Sequence, residues 1–127
     1  MDVLIRFGFT IDEIKNMMDA NDEIDTVSDK DIYDLIEILE KVGCENHHIK
    51  NIFICNPFYL TRNVNDVNNL IKKLYEIGLS SLYMLLDSNP YLLNMKDDEL
   101  ERILQEKQKE GLSKEELLDF INYTIIY

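Results

Sequence analysis

The sequence predicts an all-α protein built from stacked two-helix repeats. Three observations predict it. The four glycines, Gly8, Gly43, Gly78 and Gly111, lie 35, 35 and 33 residues apart. Asn21, Asn56 and Asn89 follow the first three of them at 13, 13 and 11 residues. Between each asparagine and the next glycine, apolar residues recur at helical spacing. A period of this size marks supersecondary units that bury their apolar faces against one another.

Residues 1–7 read as the stub of a preceding unit, with Leu4 and Phe7 in the last two apolar positions before Gly8. The first helix of each unit starts two residues after its glycine, at Thr10, Glu45, Ser80 and Ser113. Thr10 with Glu13 and Ser113 with Glu116 fit the capping box, in which hydroxyl and carboxylate satisfy orphaned backbone N–H groups. Ser80 is followed by Tyr83 instead of an acid, and Glu45 is a poor cap. This helix is short and ends near the asparagine. Asn56-Pro57 and Asn89-Pro90 stop it, because the residue before proline is driven out of the α region. "DANDEID" at 19–25 reads as a polar inter-helix loop.

The second helix starts seven residues after the asparagine, at Ser28 and Asn63, with Asp31 and Asp66 near the positive end of its dipole. Lys96 stands there in the third unit, so that helix is expected to start from Asn94 or Asp97. Ile32, Leu35, Ile36, Leu39 and Val42 correspond to Val67, Leu70, Ile71, Leu74 and Ile77, one face of a helix in each case. The third unit keeps Leu100, Ile103 and Leu104 but has Lys107 and Glu110 where its siblings are apolar, as suits the outer unit of a stack. Residues 111–127 read as the first helix of a following half-unit, with Leu117, Leu118 and Ile121 on one side. The expectation is a single domain over 1–127, with units at 8–42, 43–77 and 78–110 and half-units at 1–7 and 111–127.

A chain of 127 residues, 46% of them hydrophobic, suits one folded domain. Cys44 and Cys55 are too few for a disulfide framework and point to a reducing compartment. No apolar run approaches the roughly 18 residues of a membrane span, so no membrane partner is expected. "MDVLIRFGFT" resembles neither a signal peptide nor an organelle presequence, and a cytoplasmic location is expected.

The net charge is −12, which argues against a nucleic-acid partner. It is unevenly spread. Residues 8–42 carry 11 acids and 3 bases, net −8, whereas residues 43–77 carry 3 and 4, net +1. Residues 78–110 carry net −3 and residues 111–127 net −2. In the middle unit Lys50, Arg62, Lys72 and Lys73 are the candidates for a nucleic-acid patch. The plainer reading of them is a wet outer face.

No reaction is written in the chain. Cys44, His47, His48 and Cys55 are the metal-flavoured residues, but zinc wants about four converging ligands. The two histidines, adjacent on one helix, point about 100° apart. The 19–25 stretch lacks the turn glycine and the closing glutamate of an EF-hand. The serines read as helix starts and the glycines as helix ends, leaving no nucleophile and no phosphate loop. No catalytic residue, metal or cofactor is expected, and the protein reads as no enzyme. The first helix of the middle unit is apolar almost all round: Ile49, Ile52, Phe53, Ile54 and Cys55. It reads first as a buried helix, with Cys55 a small buried hydrophobe. The functional alternative leaves Phe53, Phe58 or Tyr59 as an apolar patch for a partner.

Gly-x-Ser before an apolar helix, Asn-Pro-x-Leu-Leu, and an amphipathic helix ending Leu-x-x-x-Gly together resemble the repeat of the mitochondrial transcription termination factor (mTERF) family. The best matches are "GLSSLYMLLDSNPYLLNMKDDELERI" and "GCENHHIKNIFICNPFYLTRNVNDVNNLIKKLYEIG". The first unit shares the glycine, Asn21 and the helix pattern, with Asp22 in place of the proline. The resemblance covers essentially the whole chain. It implies units of two helices plus a short third turn, stacked into a small curved solenoid, with Phe58-Tyr59-Leu60 and Tyr91-Leu92-Leu93 forming that turn. It also implies binding of double-stranded nucleic acid through a basic concave face. The residues themselves favour an acidic, non-enzymatic module that binds an unidentified protein or peptide. A nucleic-acid binder using the middle unit is the contrasting expectation.

Overall fold

The computed structural model describes residues 2–76, 82–113, 115–116 and 119. The expectations for Ile77, Gly78 and Ser80, and for Leu117, Leu118 and Ile121, lie outside the described residues. The described residues are mostly helical, and no strand occurs among them. After α1 (Asp2–Phe7), the order helix, short 3-10 turn, helix recurs three times. The first unit comprises α2 (Ile11–Ala20), a turn at Asp22–Thr26 and α3 (Asp29–Val42). The second comprises α4 (Asn46–Cys55), a turn at Pro57–Thr61 and α5 (Val64–Glu76). The third comprises α6 (Leu82–Ser88), a turn at Pro90–Asn94 and α7 (Asp97–Lys109).

These pieces stack in three rows. The first helices α2, α4 and α6 pack in sequence, as do α1, α3, α5 and α7, and the three 3-10 turns form the third row. The apolar stripe faces the core as the spacing requires. Ile32, Leu35, Ile36 and Leu39 are buried on α3, and Val67, Leu70, Ile71 and Leu74 on α5. On α7 only Leu100 is fully buried, while Ile103 and Leu104 lie half-buried against the core. An inner helix has a neighbour on either side, whereas this row has none beyond α7 among the described residues.

The helix starts follow the capping chemistry. The Glu13 N–H donates to Thr10 Oγ1 at 3.1 Å and the Thr10 N–H to Glu13 Oε1 at 2.8 Å. Ser28 Oγ accepts from the Asp31 N–H at 3.2 Å, and Asn63 Oδ1 from those of Asn65 and Asp66 at 2.9 and 3.2 Å. Ser113 and Glu116 form the same reciprocal pair as Thr10 and Glu13. At α4 the imidazole of His48 takes the place of the capping-box carboxylate: its Nδ1 accepts from the Glu45 N–H at 3.0 Å. The third second-helix begins at Asp97, with the Lys96 carbonyl accepting from the Leu100 N–H at 3.1 Å. Asn94 does not start it and is used elsewhere.

Residues 19–25 are not a plain polar loop. Residues 22–26 form a 3-10 turn that buries Ile24, equivalent to the buried Tyr59 and Leu92 of the later turns. The turn exists without proline. Asn21, Asn56 and Asn89 share one backbone conformation, with φ of −147°, −136° and −139° and ψ of 92°, 73° and 75°. In the first unit Asn21 Oδ1 accepts from the Glu23 N–H at 3.3 Å, so the break there needs no proline.

Gly43 closes α3 at φ 111°, with its own N–H on the Glu40 carbonyl and the Cys44 N–H on the Leu39 carbonyl at 3.0 Å. That 6→1 bond is the Schellman arrangement, and it turns Cys44 inward as the buried apolar residue that usually follows. An added Cβ at Gly43 would meet the ring of Tyr83 at an ordinary 3.6 Å, so space is not the constraint. Gly43→Ala is expected to cost about 1–2 kcal/mol from backbone conformation alone, measured by chemical unfolding.

Candidate functional site

The turn row is held in register by asparagine. Asn56 Nδ2 donates to the Pro90 carbonyl and to Asn94 Oδ1, both at 3.0 Å, and Asn94 Nδ2 returns a bond to Asn56 Oδ1 at 3.0 Å. One unit earlier, Asn21 Nδ2 donates to the Pro57 carbonyl at 3.3 Å and to Thr61 Oγ1 at 3.1 Å. Each asparagine is buried, and each reaches the first and last residues of the next unit's turn. Buried amides stabilise only where every polar partner is met, so the register between units is specified as well as held.

That register places the Phe58 and Tyr91 side chains one unit apart on the same row. In both turns the proline and the two residues after the aromatic are buried, leaving the aromatic outward. A cleft of about 380 Å³ opens beside them. Its walls are Met17 and Ala20 of α2, Ile54 and Cys55 of α4, and the two aromatics, with Glu13 and Asn16 at the polar edge. Ile54, Phe58 and Tyr91 keep 43%, 52% and 50% of their surface in water, large values for apolar side chains beside a cleft. The carboxyl of Glu13 is held below its ordinary value first by the Thr10 backbone N–H, then by the Thr10 hydroxyl and the Lys50 ammonium, against a desolvation effect that raises it.

Of the three residues expected to offer a partner-binding patch, Phe58 alone reaches the surface. Phe53 and Tyr59 are fully buried. Phe53 stacks on Phe9 with centroids 5.7 Å apart and meets Tyr59 at 5.6 Å, and the Tyr59 hydroxyl donates to the Leu35 carbonyl at 2.7 Å. Burial pushes that phenol well above its ordinary pKa. Sequence periodicity overlooked Ile54 and Tyr91 as surface residues. The signal lay in the alignment of the turns, which puts Phe58 and Tyr91 each two places after an asparagine.

Three of the four candidate phosphate contacts are engaged within the protein. Lys50 Nζ donates to the Gly8 carbonyl at 3.0 Å, lies 3.5 Å from Glu13 and sits 5.6 Å above the ring of Phe9. Arg62 Nη2 donates to the Met95 carbonyl at 2.9 Å, and Lys73 pairs with Glu101 at 2.6 Å. These three tie the middle unit to its neighbours, and Lys72 is exposed. The charge contrast between units has a structural use: three of the middle unit's four cations bond to the units on either side.

Cys55 is not the small buried hydrophobe expected of it. Cys55 is exposed on the cleft wall, with its thiol 3.5 Å from Asn51 Oδ1, because it falls on the outward side of the last turn of α4. Cys44 is buried, and burial first, then the Asp87 carboxylate, raises its pKa to about 11. At neutral pH a maleimide should label Cys55 rapidly and Cys44 only after unfolding. Rapid loss of both thiols in the native protein would contradict the burial of Cys44.

The family model for mTERF matches residues 1–124, nearly the whole chain. The chain belongs to the mTERF family. The match spans all the described units of this mTERF-family chain, including the first, which lacks the Asn-Pro pair. No curated protein and no solved structure matches it. Among the described residues no helix is long and apolar enough to cross a membrane.

Proposed function

We propose that the chain is a non-enzymatic adaptor that captures a segment of another protein in the cleft beside Phe58 and Tyr91. The observation that carries this reading is the cleft itself: about 380 Å³, walled mainly by apolar side chains and bordered by two half-exposed aromatics held one unit apart. Aromatic anchors beside an apolar pocket are where interface energy concentrates, and a rigid row of helices loses little entropy when a segment docks. The net charge of −12 and the use of Lys50, Arg62 and Lys73 between units support a protein over a nucleic acid.

Panning a random peptide library against the protein tests it, with the Phe58→Ser/Tyr91→Ser double variant as the counter-selection. Peptides retained by the parent and lost by the variant are expected. Retention indifferent to the two aromatics would reject the cleft. Family membership favours one second reading, binding of duplex nucleic acid. Nanomolar binding to duplex at physiological salt would establish it, and absence of binding at about 50 mM salt would remove it.

A further inference from the structure

The row that carries Phe58 and Tyr91 begins in the first unit, and its first member is different. The residue two places after Asn21 is Glu23, as Phe58 is two places after Asn56 and Tyr91 two after Asn89. The three turns pack in order, and the turn of 22–26 lies directly against that of 57–61. Asp22 and Glu23 are both exposed there, as is Asp19 just before them. They stand in the unit that carries net −8. Along the turn row the surface therefore passes from carboxylates to an aromatic and then a second aromatic, with the cleft beside the two aromatics.

From this order we infer that the occupant of the cleft is a cationic amphipathic helix, laid along the turn row with basic side chains over Asp22 and Glu23 and apolar ones against Phe58 and Tyr91. The inference rests on the cleft being a protein-docking site and adds the chemistry of what docks. Packed helices in neighbouring units lie about 8–10 Å apart. Seven residues of a partner helix rise about 10.5 Å, so apolar side chains one heptad apart meet successive units on one face. One heptad further along the same face, lysine or arginine comes over the acidic unit. Complementary charge would set the direction in which the helix lies and speed its capture, while the aromatics would supply the holding energy.

The test uses the whole protein and three synthetic peptides followed by fluorescence anisotropy. The first is a helix of leucine, lysine and alanine with leucines at heptad spacing. The second carries glutamate for lysine, and the third carries serine for leucine. The first peptide is expected to bind at physiological salt and the other two at least about tenfold more weakly, since each 1.4 kcal/mol of lost contact is tenfold in affinity. Asp22→Lys/Glu23→Lys should weaken the first peptide about tenfold and strengthen the second, and Phe58→Ser/Tyr91→Ser should weaken the first by at least as much. Both double variants alter exposed residues, and an unchanged unfolding midpoint confirms that each remains folded.

If the acidic peptide binds the parent as well as the basic one, and both lose affinity in Phe58→Ser/Tyr91→Ser, the charge assignment is overturned while the docking cleft stands. If no peptide responds to the two aromatics, the cleft itself is overturned. Duplex DNA that binds the parent at physiological salt and displaces the basic peptide would overturn both in favour of nucleic acid.

Discussion

Leu70→Ala is expected to destabilise the protein by about 2–5 kcal/mol, read as a lower midpoint of urea unfolding with an unchanged slope. Leu70 is fully buried in the middle of α5, and α5 is packed against both α3 and α7. Neighbours fixed on two sides cannot relax into the vacated space, so the loss should include a cavity contribution beyond the transfer of the side chain. The equivalent change at Leu104, half-buried on α7, has fewer fixed neighbours and should cost less than about 2 kcal/mol. If Leu70→Ala cost under about 1 kcal/mol, the stripe on α5 would not be what holds the stack together.

Asn56→Ala should cost about 2–4 kcal/mol, most of it from polar groups left behind. The substitution removes two donated bonds to the Pro90 carbonyl and Asn94, and the one that Asn94 returns. It strands the Pro90 carbonyl in a buried place and Asn94 in a part-buried one. Asn21→Ala should cost less, because its bonds are longer, at 3.3 and 3.1 Å to the next unit and 3.3 Å from the Glu23 N–H, and one partner is the Thr61 hydroxyl, which already donates to the Phe58 carbonyl. A double-mutant cycle separates the two origins: Asn56→Ala with Asn94→Ala should cost less than the sum of the single changes, because the second removes a group that the first orphans. Strict additivity would mean that the two amides do not act as a pair. Loss of the tie should also loosen the spacing of Phe58 and Tyr91, so peptide capture by the cleft should weaken in the same variant.

The fold was legible wherever the chain repeats a local rule. Helical spacing on α3 and α5 and the caps at Thr10, Ser28 and Asn63 depend on neighbours within a few residues, and each behaves as its local chemistry dictates. Glu45 is the poor cap its chemistry predicts, with no side-chain cap bond, and the unforeseen part is that His48 Nδ1 accepts from the Glu45 N–H. One local reading failed for an instructive reason. The 19–25 stretch reads as a loop from its run of polar residues, yet Ile24 is buried in the core and Asn21 bonds to the next unit.

The candidate site was less legible, since exposure depends on the neighbouring units as well as on a residue's own helix. Phe53 and Phe58 are alike in type and five positions apart, but Phe53 faces Phe9 across the unit boundary while Phe58 stands outside the turn row. Lys50 and Arg62 appeared as surface cations because their acceptors, the Gly8 and Met95 carbonyls, lie 42 and 33 residues away.

The sequence by itself determined the all-α class, the repeat period, the helix stripes and the weakening of the outer unit, since these follow from spacing and capping along a single chain. Only the tertiary structure decided which asparagines clamp neighbouring turns, which cations are spent on inter-unit bonds, and which aromatics stay in water. Those outcomes depend on partners a whole repeat away, where side-chain reach and burial, set by the stacking of units, select one contact among many that the chain alone would allow.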